Sequence, residues 1–225
     1  MMMPDIAISA LRTFAMFSGA QESTLRELAP SCIFQSFSAG IEINRVGQVP
    51  RYIYCLSSGS TEAWARLNDA ETILATTTAP MVFEVAATMR NQPAALSIVT
   101  REACEAIAIE TGAFLKAVRD DQAVCNAALI HVSGTYLAMT HRLLDQKLRT
   151  AEQRLSQWIL AKMDPSGRSA TVEIVFSKRA LAYELGMSPA NLSRLFNVLR
   201  EHGIAVDGKT MTITNLKKLE ALAQG

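Results

Sequence analysis

The chain has 225 residues, with 49% hydrophobic and 19% charged positions and 22 Lys and Arg against 21 Asp and Glu, a net charge of +1. That balance excludes a disordered chain, and the length suffices for two modest domains, each with its own core. No apolar run approaches the roughly 18–20 residues that span a bilayer.

The start MMMPDIAISALRTF lacks the basic opening and apolar core of a signal peptide, so a cytoplasmic protein without a membrane partner is expected. Cys32, Cys55, Cys104 and Cys125 are widely spaced with no C-x-x-C pair, as expected of reduced thiols rather than disulfides or a structural zinc site. The small net charge hides an asymmetry. Residues 1–144 hold 10 Lys and Arg against 13 Asp and Glu, and residues 145–225 hold 12 against 8. Basic charge is thus biased toward the C-terminal part, as phosphate binding would require.

In chain order, residues 8–30 predict short helical pieces, with Ser23 as an N-cap and Leu25 and Leu28 on the buried side. From Cys32 to Ile109 the pattern changes to short alternating runs: IFQSF, IEINR, YIYCL, TEAWARL, TILATT, LSIVT and CEAIAIE. Gly40, Gly47, Ser58-Gly59 and Asn68-Asp69 separate them, which predicts an antiparallel barrel or roll.

Residues 112–149 form a long helical tract with two apolar stripes. One is Cys125, Leu129, Val132, Tyr136, Met139 and Leu143; the other is Ala127, Ile130, Gly134, Leu137, His141, Leu144 and Leu148. A helix apolar on two sides needs cover on two sides, from the roll and from a twin helix, and periodicity does not assign the stripes. Around Thr150 the helix breaks into a further helix over 151–163. Asp164-Pro165-Ser166-Gly167 predicts a turn, and SATVEIVF (169–176) a strand.

From Ser177 to His202 the signals are densest. Leu181, Ala182 and Leu185 form the stripe of a short helix, which Gly186 can end in a left-handed conformation. Ser188 is an N-cap and Pro189 the first residue of a second helix, whose apolar face is Leu192, Leu195, Phe196 and Leu199. Its outward face carries Asn191, Ser193, Arg194 and Asn197. HGIAVDGKTMTITNL then predicts a hairpin turning at Asp207-Gly208. Two short helices, a glycine turn and a hairpin make a winged helix-turn-helix.

The segment TAEQRLSQWIL (150–160), followed by SPANLSRL in the winged motif, resembles the C-terminal half of the Crp/Fnr superfamily of bacterial transcription regulators. The SP-x-N-L-S-R form is most similar to the branch that answers nitric oxide and related nitrogen oxides. SAGIEINRVGQVPRYIYCLSSGS resembles the cyclic-nucleotide-type β-roll of the same superfamily. The resemblance implies an α+β protein. A cyclic-nucleotide-binding-like β-roll with flanking helices would occupy 1–111, a long dimerisation helix 112–149 and a winged helix-turn-helix 150–225. It places Leu129, Val132, Tyr136, Met139 and Leu143 at the dimer seam.

On DNA, the resemblance implies a homodimer on a palindromic operator, with RNA polymerase as a further candidate partner. Arg194 is the expected base reader, because a guanidinium can bond guanine O6 and N7 together. Asn191 and Ser193 are further candidates, Ser188 sets amides near phosphate, and Lys178, Arg179 and Lys209 are phosphate candidates. The family usually carries a glutamate where this chain has Ala190, so the resemblance carries the docking mode and not the sequence preference.

Cyclic-AMP-binding relatives grip the nucleotide with a glycine, a glutamate and an Arg-Ser pair. The matching stretch, MVFEVAATMRNQPAALSIV (81–99), keeps Glu84, has Phe83 in the glycine place and Ala94-Ala95 where Arg-Ser should be, and leaves Arg90 as the nearby cation. Cyclic AMP is therefore not the expected effector, since an unpaired phosphate in a pocket is costly. The N-terminal cysteine cluster of an iron–sulfur sensor is missing. The resemblance to the nitric-oxide branch suggests haem as the remaining candidate, with His131, His141 and His202 as its available imidazoles and Met or Cys ligands also open. The alternative is a constitutive DNA-binding regulator whose roll no longer takes an effector. No nucleophile elbow, P-loop or H-E-x-x-H motif points to an enzyme.

Overall fold

The structure, a computed structural model, describes residues 4–68, 70–164, 171–174 and 177–224. The chain divides into two compact units, Met1–Leu137 and Ala138–Gly225.

In the first unit, α1 (Pro4–Arg12) and α2 (Glu22–Leu28) precede a run of eight strands. These are β1 (Cys32–Phe37), β2 (Glu42–Asn44), β3 (Tyr52–Ser58), β4 (Ser60–Leu67), β5 (Ala70–Thr78), β6 (Met81–Phe83), β7 (Ser97–Thr100) and β8 (Cys104–Glu110), with helix α3 (Val85–Arg90) between β6 and β7. They form two four-stranded antiparallel sheets, ordered β1-β8-β3-β6 and β2-β7-β4-β5. This is the expected β-roll. β6 has no counterpart among the predicted strands, because Met81–Phe83 is apolar throughout and shows no alternation.

The central strand β8 buries Ala106 through Ile109 without interruption. Ile107 and Ile109 join the helical core of Leu11, Phe17, Leu25 and Phe114, while Cys104 and Ala106 pack with Leu56 near Phe37 and Phe83. Burial on both faces explains the continuous apolar run. Gly59, at φ +87°, joins β3 to β4; a Cβ there would lie 2.5 Å from Cys104 Sγ and 2.6 Å from the Ala103 carbonyl, so the turn admits only glycine.

Ser23 is not the cap of α2. The helix starts at Glu22 after Gln21, whose backbone N–H donates instead to Asp121 Oδ2 at 2.8 Å. The same carboxylate divides the predicted 112–149 helix into α4 (Thr111–Asp120) and α5 (Gln122–Leu148). Asp121 takes extended backbone and accepts from the Ala123 N–H at 2.9 Å, capping the second helix. Burial works to raise its pKa, but hydrogen bonds from Gln21, Thr24, Ala123 and Val124 outweigh it and hold the carboxyl below the usual range.

On α5 only Val124 and Ala128 are fully buried, with Ala127 and Val132 packed partly against the same core. The expectation that one stripe packs on the roll is therefore corrected: each stripe contributes a residue or two at its start, and both are exposed beyond it. Of the five residues expected at a dimer seam, Val132 is half-buried against the first unit's core, whereas Leu129, Tyr136, Met139 and Leu143 are exposed.

The second unit contains α6 (Ala151–Lys162), β9 (Thr171–Glu173), α7 (Lys178–Glu184), α8 (Pro189–Glu201), β10 (Ile204–Asp207), β11 (Thr210–Ile213) and α9 (Leu216–Gln224). β10, β11 and β9 make a three-stranded antiparallel sheet, the wing of the winged helix-turn-helix. Thr150 caps α6 in a capping box: its Oγ1 accepts from the Gln153 N–H, and the Gln153 side chain accepts from the Thr150 N–H. The expected strand at 169–176 is seen as β9; residues 169, 170, 175 and 176 lie outside the described residues, as do Asp69 of the Asn68-Asp69 turn and Pro165, Ser166 and Gly167 of the Asp164–Gly167 turn. α9 was not expected; it buries Leu219 and Ala223, and Leu219 joins the core shared with α6. No helix among the described residues is long and apolar enough to cross a membrane.

Candidate nucleic-acid interface and effector cassette

The helix-turn-helix is built from its caps inward. Ser177 Oγ accepts from the Ala180 N–H and starts α7; Ser188 Oγ accepts from the Asn191 N–H at 3.2 Å and starts α8, with Pro189 next. Gly186, at φ +63°, turns the chain between them. Leu192, Leu195, Phe196 and Leu199 are buried, which fixes the rotation of α8 at roughly 1.5–3 kcal/mol per side chain. Ser193, Arg194 and Asn197 therefore face solvent, and Asn191 is half-exposed.

The remaining predicted DNA residues gather on the same unit. Lys178 is exposed at the start of α7, with Nζ 5.5 Å from the Phe196 ring centre, and the Arg179 guanidinium lies 5.7 Å from that of Tyr183. These contacts hold two flexible cations near the helix-turn-helix. Ser193 Oγ donates to the Pro189 carbonyl at 3.0 Å, so its hydroxyl proton is already used within the helix. The wing turns one residue later than expected: Asp207 pairs with Thr210, leaving Gly208 and Lys209 as the loop, so that Lys209 stands exposed at its tip.

In the β-roll, Phe83 ends β6 and Glu84 follows in the left-handed region at φ +67°. Phe83 is half-buried beside Ile43, Ala63 and Ile98 between the sheets. Glu84 Oε1 accepts from Asn44 Nδ2 at 2.8 Å, and that amide also donates to the Leu96 carbonyl at 3.2 Å. Burial pushes the Glu84 carboxyl up to about 7. Ala94 is buried, its N–H bonded to the Gln48 carbonyl and its own carbonyl accepting from Gly47. Arg90 is exposed at the end of α3. The cassette thus brings Phe83 and Glu84 together but leaves Arg90 in solvent. Asn44, which sequence reasoning did not single out, holds the glutamate; a short polar residue on a three-residue strand offers no periodic signal.

The three imidazoles lie on two helices. His131 and His141 are ten residues apart on α5, about 15 Å along the helix, and His202 is the C-cap of α8 in the second unit. Burial by its own surroundings lowers the His131 pKa. Among the described residues no group of three or more His, Cys, Asp and Glu is arranged for a metal ion.

Residues 18–121 match the model of the cyclic nucleotide-binding domain, and residues 153–222 that of the Crp-like helix-turn-helix domain. No curated protein matches the chain significantly. Among solved structures, the fold is similar to FixK2 from Bradyrhizobium japonicum, with TM-score 0.70, 18% identity and cover of 85% of this chain and 96% of that one. It is similar to a CooA mutant from Carboxydothermus hydrogenoformans, with TM-score 0.72, 16% identity and cover of 86% and 88%. DNR from Pseudomonas aeruginosa matches over 99% of this chain and all of its own, with TM-score 0.52 and 22% identity. Identities this low carry the fold alone. The two domain models, in this order along one chain, place it in the Crp/Fnr family of DNA-binding transcription regulators.

Proposed function

We propose that the protein is a homodimeric regulator that reads a two-fold symmetric operator through α8 and answers an effector other than cyclic AMP. The observation that carries the DNA part is the solvent-facing edge of α8, where Arg194 stands on a helix locked by four buried apolar side chains and a serine cap. Two copies of α8 would enter successive major grooves about 34 Å apart. Arg194 would read a base edge and Asn191 a second one; Ser193, its proton already given to the Pro189 carbonyl, could only accept from a base donor, and Ser188, Lys178, Arg179 and Lys209 would serve phosphate positioning. The dimer part is supported by the uncovered apolar length of α5, where Leu129, Tyr136 and Leu143 are each more than half exposed. Apolar side chains repeated at three- and four-residue spacing suit a twin helix.

The effector part rests on the cassette. Phe83 and the Ala94-Ala95 pair leave a cyclic phosphate without its cation, and Arg90 is exposed at the end of α3. Nitric oxide sensed through haem is the effector that the sequence resemblance suggests. Constitutive DNA binding, with the roll as a scaffold, is the competing reading, favoured by the same absent cation.

Selecting bound DNA from a random pool, with the oligomeric state measured by sedimentation, tests the core of this. A palindrome bound by a dimer is expected, and a chain that stays single and takes no DNA, with or without haem and nitric oxide, overturns it. Changed DNA affinity or a Soret band on haem addition separates the sensor from the constitutive regulator. Micromolar cyclic AMP binding by calorimetry would refute the effector assignment.

A further inference from the structure

The connection from α5 to α6 is only Arg149 and Thr150, and a link that short between two helices could act as a pivot. Instead it is tied from three sides. Arg154, on the first turn of α6, donates from Nη1 to the Arg149 carbonyl at 2.7 Å, from Nε to the Leu185 carbonyl at 2.8 Å, and from Nη2 toward the Gly186 carbonyl at 3.5 Å. Arg149 closes the end of α5, Leu185 is the C-cap of α7, and Gly186 is the turn of the helix-turn-helix. One planar guanidinium thus takes carbonyls from both elements that flank its own helix.

Two further ties join the same elements. The Gln146 side chain of α5 lies so close to Gly186 that a Cβ there would sit 2.8 Å from its Nε2. Glu184, on the last turn of α7, lies in the field of Arg142 from α5 and Lys162 from α6. Together with the Thr150 capping box, these contacts leave the junction little freedom.

We propose that Arg154 is a positioning residue: it locks the end of the long helix to the recognition turn, and so sets the half-site spacing that a dimer accepts. The proposal rests on the dimeric, palindrome-reading function above. Arg154 itself does not read DNA; it acts through the Leu185–Gly186 turn, which immediately precedes the Ser188 cap of α8. Only arginine suits the place, because its fork presents several donors in one plane whereas an ammonium is a single point.

The test uses the full-length protein and a panel of palindromes whose half-sites are moved apart one base pair at a time, together with a single half-site. Wild type is expected to favour one spacing by about tenfold or more. Arg154→Ala should keep the single half-site affinity within about twofold while flattening the spacing preference several-fold. Arg154→Lys should behave like Arg154→Ala. An unchanged spacing preference in Arg154→Ala overturns the proposal, as does a loss shared equally by half-site and palindromes with a lowered melting temperature, which marks a merely structural role. Should Arg154→Ala fail to fold, Gln146→Ala removes the neighbouring tie without disturbing the guanidinium, and spacing preference equal to wild type then counts against the lock. A wild type indifferent to spacing, or monomeric, sinks the dimeric function and this inference with it.

Discussion

The two units of this chain keep different things from their family. The second unit keeps surface chemistry: a serine cap at Ser188 and, on the 13 residues of α8 that follow it, a buried apolar stripe and an exposed arginine. The first unit keeps the shape of a nucleotide-binding roll, with its eight strands and turn glycines, while Arg90, the cation nearest its Glu84 in sequence, stands in solvent. The difference teaches that the roll is held by strand register and buried cores, whereas the helix-turn-helix is set by caps and an apolar stripe that act locally. Phe83 is half-buried in the roll core, and Ala94 bonds through its backbone alone.

The comparison can be attacked first where the roll depends on a polar group for its fold. Asp121→Ala removes the acceptor for Gln21 and Ala123, and is expected to cost about 2–4 kcal/mol in denaturant melts of the full chain. Because the native state holds this carboxyl below its ordinary range, the stability it adds is present above that range and is lost as pH falls through the lowered pKa. A neutral Asp121→Ala would show that the α4–α5 break is set by something else.

In the second unit the matching test is Arg194→Ala. It should weaken operator binding by about 1–3 kcal/mol and relax specificity at one base pair, with the melting temperature unchanged since the side chain is exposed. Gel shifts across single-base operator variants would reveal it, and unchanged affinity would remove Arg194 from the base readers.

The smallest expected effect sharpens the contrast at the cassette. Burial raises the Glu84 carboxyl to about 7, so the folded form holds its proton longer than the unfolded chain does. Its contribution is therefore full below the ordinary carboxylate range and fades as pH rises toward about 7. Wild type should lose a few degrees of melting temperature between acidic and neutral buffer, and Glu84→Gln should lose less. Equal slopes would mean that the carboxylate is as well solvated as in the unfolded chain.

Much of the second unit was legible from local signals. Ser188, Pro189 and Gly186 act within a few residues of themselves, through a cap, a pre-set φ and a left-handed turn, so their roles survive any tertiary surroundings. The wing was legible to within one residue: Lys209 was expected at its tip, and the Asp207–Thr210 pairing shifts the turn from Asp207-Gly208 to Gly208-Lys209. The first unit was less legible where contacts are long-range. The break at Asp121 depends on Gln21, a hundred residues away, and a helical tract looks continuous until that partner is known. Asn44 reaches Glu84 across forty residues and leaves no trace in either local pattern.

By itself, then, the sequence determined the order of roll, long helix and winged helix-turn-helix, because apolar period, glycine turns and helix caps are local physical constraints. It also determined that α5 is apolar on two sides. Only the tertiary structure decided that just Val124 and Ala128 of that helix are fully buried in the first unit, and that Arg154 clasps the end of α5 to the recognition turn. Burial and long-range hydrogen bonds depend on which distant segments meet, and chain order alone does not carry that information.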